Sequence, residues 1–156
     1  MKKLILIPAL FCLFMLNVAS MCSSDDDSSS SSSDPTPVIN TATQGTWRVS
    51  SYIDSGDDET DHFTGYNFTF GSSNVLTATN GTNTYTGTWS VTSDDSSNDD
   101  NSSSDFDFNI AFASPANFAD ITEDWDIVTY SATTISLIHV SGGNGGTDTL
   151  VFTKNN

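Results

Sequence analysis

From Gly45 to Thr153 the apolar residues recur at every second position, the period of a half-buried strand and not of a helix. Tyr85, Gly87, Trp89 and Val91 alternate with Thr86, Thr88, Ser90 and Thr92, so one face is set for burial and the other for water. The same alternation runs through Trp47, Val49, Ser51 and Ile53, through Tyr66, Phe68 and Phe70, and through Phe106, Phe108, Ile110 and Phe112. Shorter runs at Val75 to Thr79, Trp125 to Ile127, Ile135 to Val140 and Thr149 to Thr153 bring the expected strands to eight. Aromatic, Thr and β-branched residues dominate them, in keeping with strand propensity.

The punctuation predicts antiparallel neighbours. Asn80-Gly81 is a hairpin signal, because both residues tolerate positive φ. The glycine run Gly142 to Gly146 reads as a second turn, since it joins two strands and opens no helix that could seat a phosphate. Ser93 to Asp105, rich in Ser, Asp and Asn, reads as a long loop. Ser114-Pro115 predicts one short helical turn, through Asp120, over a barrel end. Eight strands with one apolar face and short links between chain neighbours predict an all-β fold, an eight-stranded antiparallel up-and-down β-barrel, because closure covers the apolar face and removes both edges.

Upstream the pattern changes. Lys2 and Lys3 precede an apolar run from Leu4 to Leu16, a basic region and a short hydrophobic region of the kind that directs export, too short for a permanent membrane span. Residues 1–21 are therefore expected to be a lipoprotein signal peptide, because Ala19-Ser20-Met21-Cys22 resembles a bacterial lipobox despite Met21 at a position where a small residue is usual. The run Ser23-Ser24-Asp25-Asp26-Asp27 resembles the acidic tag that sends some lipoproteins to the outer face of the outer membrane. Cys22 is the expected lipidation site, with a soluble secreted protein as the rival. Residues 22–43, rich in Ser, Asp and Pro, are expected to be a disordered tether, and residues 44–154 the barrel domain. Cys12 leaves with the leader, so no disulfide framework is available.

Charge narrows the partners. The chain carries a formal net charge of −16, and Lys2 and Lys3 are two of its four cations; beyond the leader only Arg48 and Lys154 face 20 carboxylates. Such a surface repels a phosphate backbone, so nucleic acid is excluded as a partner. The expected partners are a small hydrophobic ligand and the membrane, reached through the Cys22 anchor, with the protein a monomer at the cell surface.

Gly45-Thr46-Trp47 resembles the Gly-x-Trp motif that opens the first strand of lipocalins, and Lys154 follows the last strand, where lipocalins often carry a basic residue over that tryptophan. The runs Thr64 to Phe70, Thr86 to Val91, Thr122 to Trp125 and His139 to Asp148 extend the resemblance to the short lipocalin-like domains of bacterial surface lipoproteins. A Thr-Asp-Tyr motif between the sixth and seventh strands is missing. The resemblance implies a lipocalin-type barrel and carries no reaction with it.

An eight-stranded barrel is wide enough either to be filled by its own side chains or to hold one small molecule. The candidate ligand-binding residues are Trp47, Tyr66, Phe68, Trp89, Phe108 and Trp125. Phe70, Leu137 and Phe152 join them as candidate lining. Gly87, Ser51 and Thr77, on positions phased inward, would leave space for a ligand that Tyr66 or Tyr85 could orient through a hydroxyl. The alternative is a surface interaction or structural protein with a filled barrel and recognition by the acidic loops at 54–61 and 93–105.

No catalytic residue, cofactor or metal is assigned. His62 and His139 are the only histidines, which leaves a nucleophile few bases, and nothing like a nucleophile elbow occurs. His139 shares a strand face with Ile135 and Leu137 and reads as structural. The five carboxylates of residues 54–61 offer hard oxygen ligands for Ca²⁺, but not at EF-hand spacing, and read as a solvated turn.

Overall fold

The computed structural model describes residues 34–93, 106–141 and 145–156. The leader, Cys22, the tether as far as residue 33, the acidic loop at 94–105 and glycines 142 and 143 lie outside the described residues.

Among the described residues nine strands run in chain order: β1 (Trp47–Asp54), β2 (Asp57–Asp58), β3 (Asn67–Phe70), β4 (Val75–Thr79), β5 (Thr84–Ser93), β6 (Phe106–Ala111), β7 (Glu123–Tyr130), β8 (Thr134–Val140) and β9 (Thr147–Lys154). Except for β2, a two-residue return against the end of β1, each strand pairs antiparallel with its neighbour in sequence, and β9 closes on β1. The result is an eight-stranded, closed, antiparallel up-and-down barrel of lipocalin-like shape. Closure is uneven: β1 and β9 share six register pairs, whereas β1 and β3 meet at Trp47 and Phe68 alone.

Strand parity follows the sequence pattern for most of the chain, with two corrections. A bulge between Val49 and Ser51 inserts one residue into β1, so Tyr52 turns inward where Ser51 and Ile53 were expected. In β4 the inward residues are Leu76 and Ala78, and Thr77 faces outward. A one-residue change of phase exchanges the two faces of a strand, which is why both departures alter what fills the barrel.

Both ends are lidded. Where β1, β4, β6 and β8 begin or end at one mouth, a 3₁₀ turn at Thr60–Phe63 and the helix α2 (Ala116–Ala119) bury Phe63 and Phe118. The helix starts one residue later than its Ser-Pro signal implies, and the Pro115 carbonyl accepts the Phe118 and Ala119 N–H groups. Residues 36–42, expected within the disordered tether, are instead the helix α1 (Thr36–Ala42), which places Val38 and Ala42, one turn apart, in the core. Burial of this short apolar stripe explains the correction, because seven residues do not hold a helix in water without tertiary contact.

Candidate functional site

Each candidate ligand-binding residue except Tyr66 is taken up by the core. Trp47, Phe68, Phe108 and Trp125 are 0% exposed and Trp89 is 4% exposed. The rings touch one another across the barrel: Phe70 lies 5.2 Å from Trp89 and 5.4 Å from both Phe108 and Phe152, and Phe152 lies 5.4 Å from Phe68. Phe68 stacks on Phe118 of α2 at 5.8 Å, and Trp125 joins the chain through Tyr52 at 6.5 Å. Most of these pairs are edge-to-face, the geometry in which ring quadrupoles attract.

The polar tips are also engaged. Trp47 Nε1 donates to the Ala42 carbonyl at 2.9 Å, Trp89 Nε1 to Gly71 at 2.9 Å, and Trp125 Nε1 to Ile121 at 3.2 Å. Tyr52 donates to the Asp120 carbonyl at 3.0 Å; its burial, with Asp54 and Asp148 nearby, pushes the phenol well above its ordinary range. Among the described residues no polar or charged side chain is buried and no buried side-chain nitrogen or oxygen lacks a partner. An apolar ligand would find no convergent polar group inside to orient it.

Tyr66 and Tyr85 are half-buried at the mouth, with rings stacked at 5.7 Å and both against Phe118. The adjoining Tyr66 hydroxyl holds the Tyr85 phenol above its ordinary range.

The three positions expected to leave room do not. Ser51 and Thr77 are displaced from the interior as described. A Cβ at Gly87 would collide with the Ala111 carbonyl oxygen and come 2.8 Å from Phe112 Cδ1, so the space beside Gly87 is already filled by the end of β6. Gly87→Ala is therefore expected to overpack this corner and lower stability by about 1–3 kcal/mol. Urea unfolding measures it; a neutral result would mean that the site has spare volume.

Lys154 Nζ stands 5.7 Å over the Trp47 ring, a cation–π arrangement. Gly45 makes it fit: its φ of +88° is one that glycine adopts without strain, and a Cβ there would lie 3.0 Å from Lys154 Cε.

Outside the wall, shallow depressions lie over Thr88, Ser90 and Asn109 on β5 and β6 and beside Asp58, Thr60 and Asp61. In the acidic segment 54–61, Thr60 holds the Asp58 carboxyl below its ordinary range, through its side chain first and then through its N–H, which donates to Asp58 at 3.0 Å, and His62 Nδ1 lies 3.4 Å from Glu59 Oε2. The one described group of three ligand-type side chains is elsewhere: Glu123, Asp124 and His139 at the ends of β7 and β8. The signal that could have found it was register, because Trp125 and His139 share the inward phase of adjacent strands.

Compared with family models, curated proteins and solved structures, the chain matches none.

Proposed function

We propose that this protein is a surface lipoprotein, held through Cys22, whose barrel is a filled and rigid scaffold that presents its acidic outer face to a partner. One observation carries the reading: the ring-on-ring packing of Phe68, Phe70, Trp89, Phe108 and Phe152 occupies the space a carrier would keep open for a ligand. Phe63 and Phe118 over one mouth and α1 against Trp47 add to it, since entry would require unseating a buried ring. The exposed carboxylates of Asp57, Asp58 and Asp61 supply an outer face suited to a cationic partner. Lys154 over Trp47 beneath Gly45 supports the lipocalin-like resemblance, and the acidic run after Cys22 supports the surface location.

The reading predicts that the chain without its leader, titrated with the lipophilic dye N-phenyl-1-naphthylamine in detergent-free buffer, gives no saturable fluorescence. Saturable binding reversed by a fatty acid would restore the carrier reading. Intact mass of the exported protein is expected to show acyl chains on Cys22; an unmodified chain beginning near Met21 would make it a secreted protein instead.

A further inference from the structure

Antiparallel register pairs Asp126 of β7 with Ile138 of β8, which sets Trp125 opposite His139 and draws the first residues of β7 to the end of β8 at the barrel rim. There the His139 ring stands edge-on to Trp125 at 6.1 Å, and its Nδ1 lies 3.2 Å from the Asp124 carbonyl oxygen. That contact selects a tautomer. With Nδ1–H donating to the carbonyl, Nε2 keeps its lone pair and faces Glu123 Oε2 at 3.7 Å. The Asp124 carboxylate lies on the Nδ1 side of the ring, with Oδ1 3.7 Å from Nδ1, and its exposed side chain would turn toward Nε2 to share an ion with Glu123. One ligand atom from each of the three residues falls within 4.8 Å of the others.

We propose that Glu123, Asp124 and His139 form a binding site for a divalent transition-metal ion of the Zn²⁺ class. Three features of the geometry point to it. An imidazole with two carboxylates suits Zn²⁺ and its neighbours, whereas Ca²⁺ demands six to eight oxygens. A ligating histidine characteristically donates its other N–H to a carbonyl or carboxylate, which fixes the ring, and the Asp124 carbonyl stands in that position. The spacing is near what coordination needs: ligand atoms about 2.0–2.1 Å from a tetrahedral ion lie roughly 3.3–3.5 Å apart, so the 3.7 Å between His139 Nε2 and Glu123 Oε2 closes with a small side-chain rotation.

Access and charge agree with this assignment. The His139 side chain is 19% exposed, Glu123 41% and Asp124 71%, so the imidazole is held by packing while both carboxylates remain free to swing onto an ion. Asp148, which pairs with His139 across β9, is already engaged by the Ser55 N–H at 2.7 Å and its hydroxyl at 3.3 Å; it adds negative field without crowding the site. Water would complete the coordination sphere on the open side. The site stands whether the barrel is a scaffold or a carrier.

The test is isothermal titration of Zn²⁺ into the EDTA-treated full chain in a zwitterionic micelle, with Cys12→Ser and Cys22→Ser so that no thiol competes. One equivalent should bind saturably, and the ¹⁵N resonance of His139 Nε2 should shift while that of His62 stays. His139→Gln should weaken binding at least tenfold, Glu123→Gln should weaken it measurably, and His62→Gln should leave it unchanged. Circular dichroism establishes that each variant is folded, and Glu123→Gln alone suffices if His139→Gln is not. Affinity unchanged in both Glu123→Gln and a folded His139→Gln, or loss that follows His62→Gln, would overturn the site in favour of diffuse attraction by the acidic surface.

Discussion

Phe68→Ala should cost about 3–5 kcal/mol and, in the same protein, create a binding cavity that the wild type lacks. Phe68 is fully buried and its ring meets Phe63 at 6.2 Å, Phe112 at 6.5 Å, Phe118 at 5.8 Å and Phe152 at 5.4 Å, so four ring contacts from four segments disappear together. Its backbone also makes the single register pair between β1 and β3, opposite Trp47, and the substitution leaves that pair in place. The loss is thus packing, not closure. A domain of this size has about 5–15 kcal/mol to lose, so the variant should still fold in cool buffer. The hole would be lined by rings and aliphatic chains, and an apolar cavity of that kind stays dry and accepts a small aromatic molecule. Urea unfolding measures the first effect; a rise in melting temperature on adding benzene, in the variant and not in the wild type, measures the second. A loss under about 1 kcal/mol, or equal stabilisation of the wild type by benzene, would show that the barrel is not filled around Phe68.

Trp47→Ala should have a comparable cost, again about 3–5 kcal/mol, and should also release α1. Trp47 is fully buried beneath Lys154, and its indole N–H is bonded to the last residue of α1, the Ala42 carbonyl, at 2.9 Å. Without the indole, α1 keeps only Val38, Ala42 and half-buried Ile39 as its anchors, too little apolar surface to hold seven residues helical. The Ile39 and Thr43 amides, which donate to Pro35 at 3.1 Å and Ile39 at 3.0 Å, should then exchange with deuterium at nearly unprotected rates while the β5 and β6 amides stay protected. Trp47→Phe separates the two contributions: it retains most of the apolar surface, removes the indole donor and should cost less, with α1 partly protected. Retained protection of Ile39 and Thr43 in Trp47→Ala would mean that the helix is docked by other contacts.

The lidded ends and the packed centre bear on the same point. A carrier barrel needs volume that its own side chains decline to fill, and here small residues are spent otherwise. Gly87 makes way for Phe112, Gly45 makes way for Lys154, and Ala78 lies among the rings with no exposed surface. Each smaller side chain is matched to a larger neighbour, which is the pattern of a core.

Much of the barrel was legible in the chain because its cause is local. A strand with one dry and one wet face must alternate, and Tyr85 to Thr92 or Phe106 to Phe112 display that alternation without reference to anything distant. Short links between those runs leave consecutive antiparallel pairing and closure as the economical topology, and the structure has both. The inward residues of β5, β6, β8 and β9 follow from parity alone. What parity could not supply was the bulge in β1, which depends on how Ser50 and Ser51 fit against Val151 of β9, a partner a hundred residues away. Helix α1 was hidden for a related reason: Val38, Ile39 and Ala42 form a stripe too short to signal a helix beside a Ser- and Pro-rich stretch, and only the barrel end supplies the surface that makes it one.

The sequence by itself determined the strands, their order and the excess of negative charge, all of which depend on neighbours within a few residues or on simple sums. The tertiary structure alone decided whether the interior is full and which carboxylates meet His139. Filling depends on ring volumes contributed by six or more strands and two lids at once, and the meeting of Glu123 and Asp124 with His139 depends on the β7–β8 register. Neither quantity has a local cause: parity marks which residues face inward, and only the packing and the register decide which of them meet.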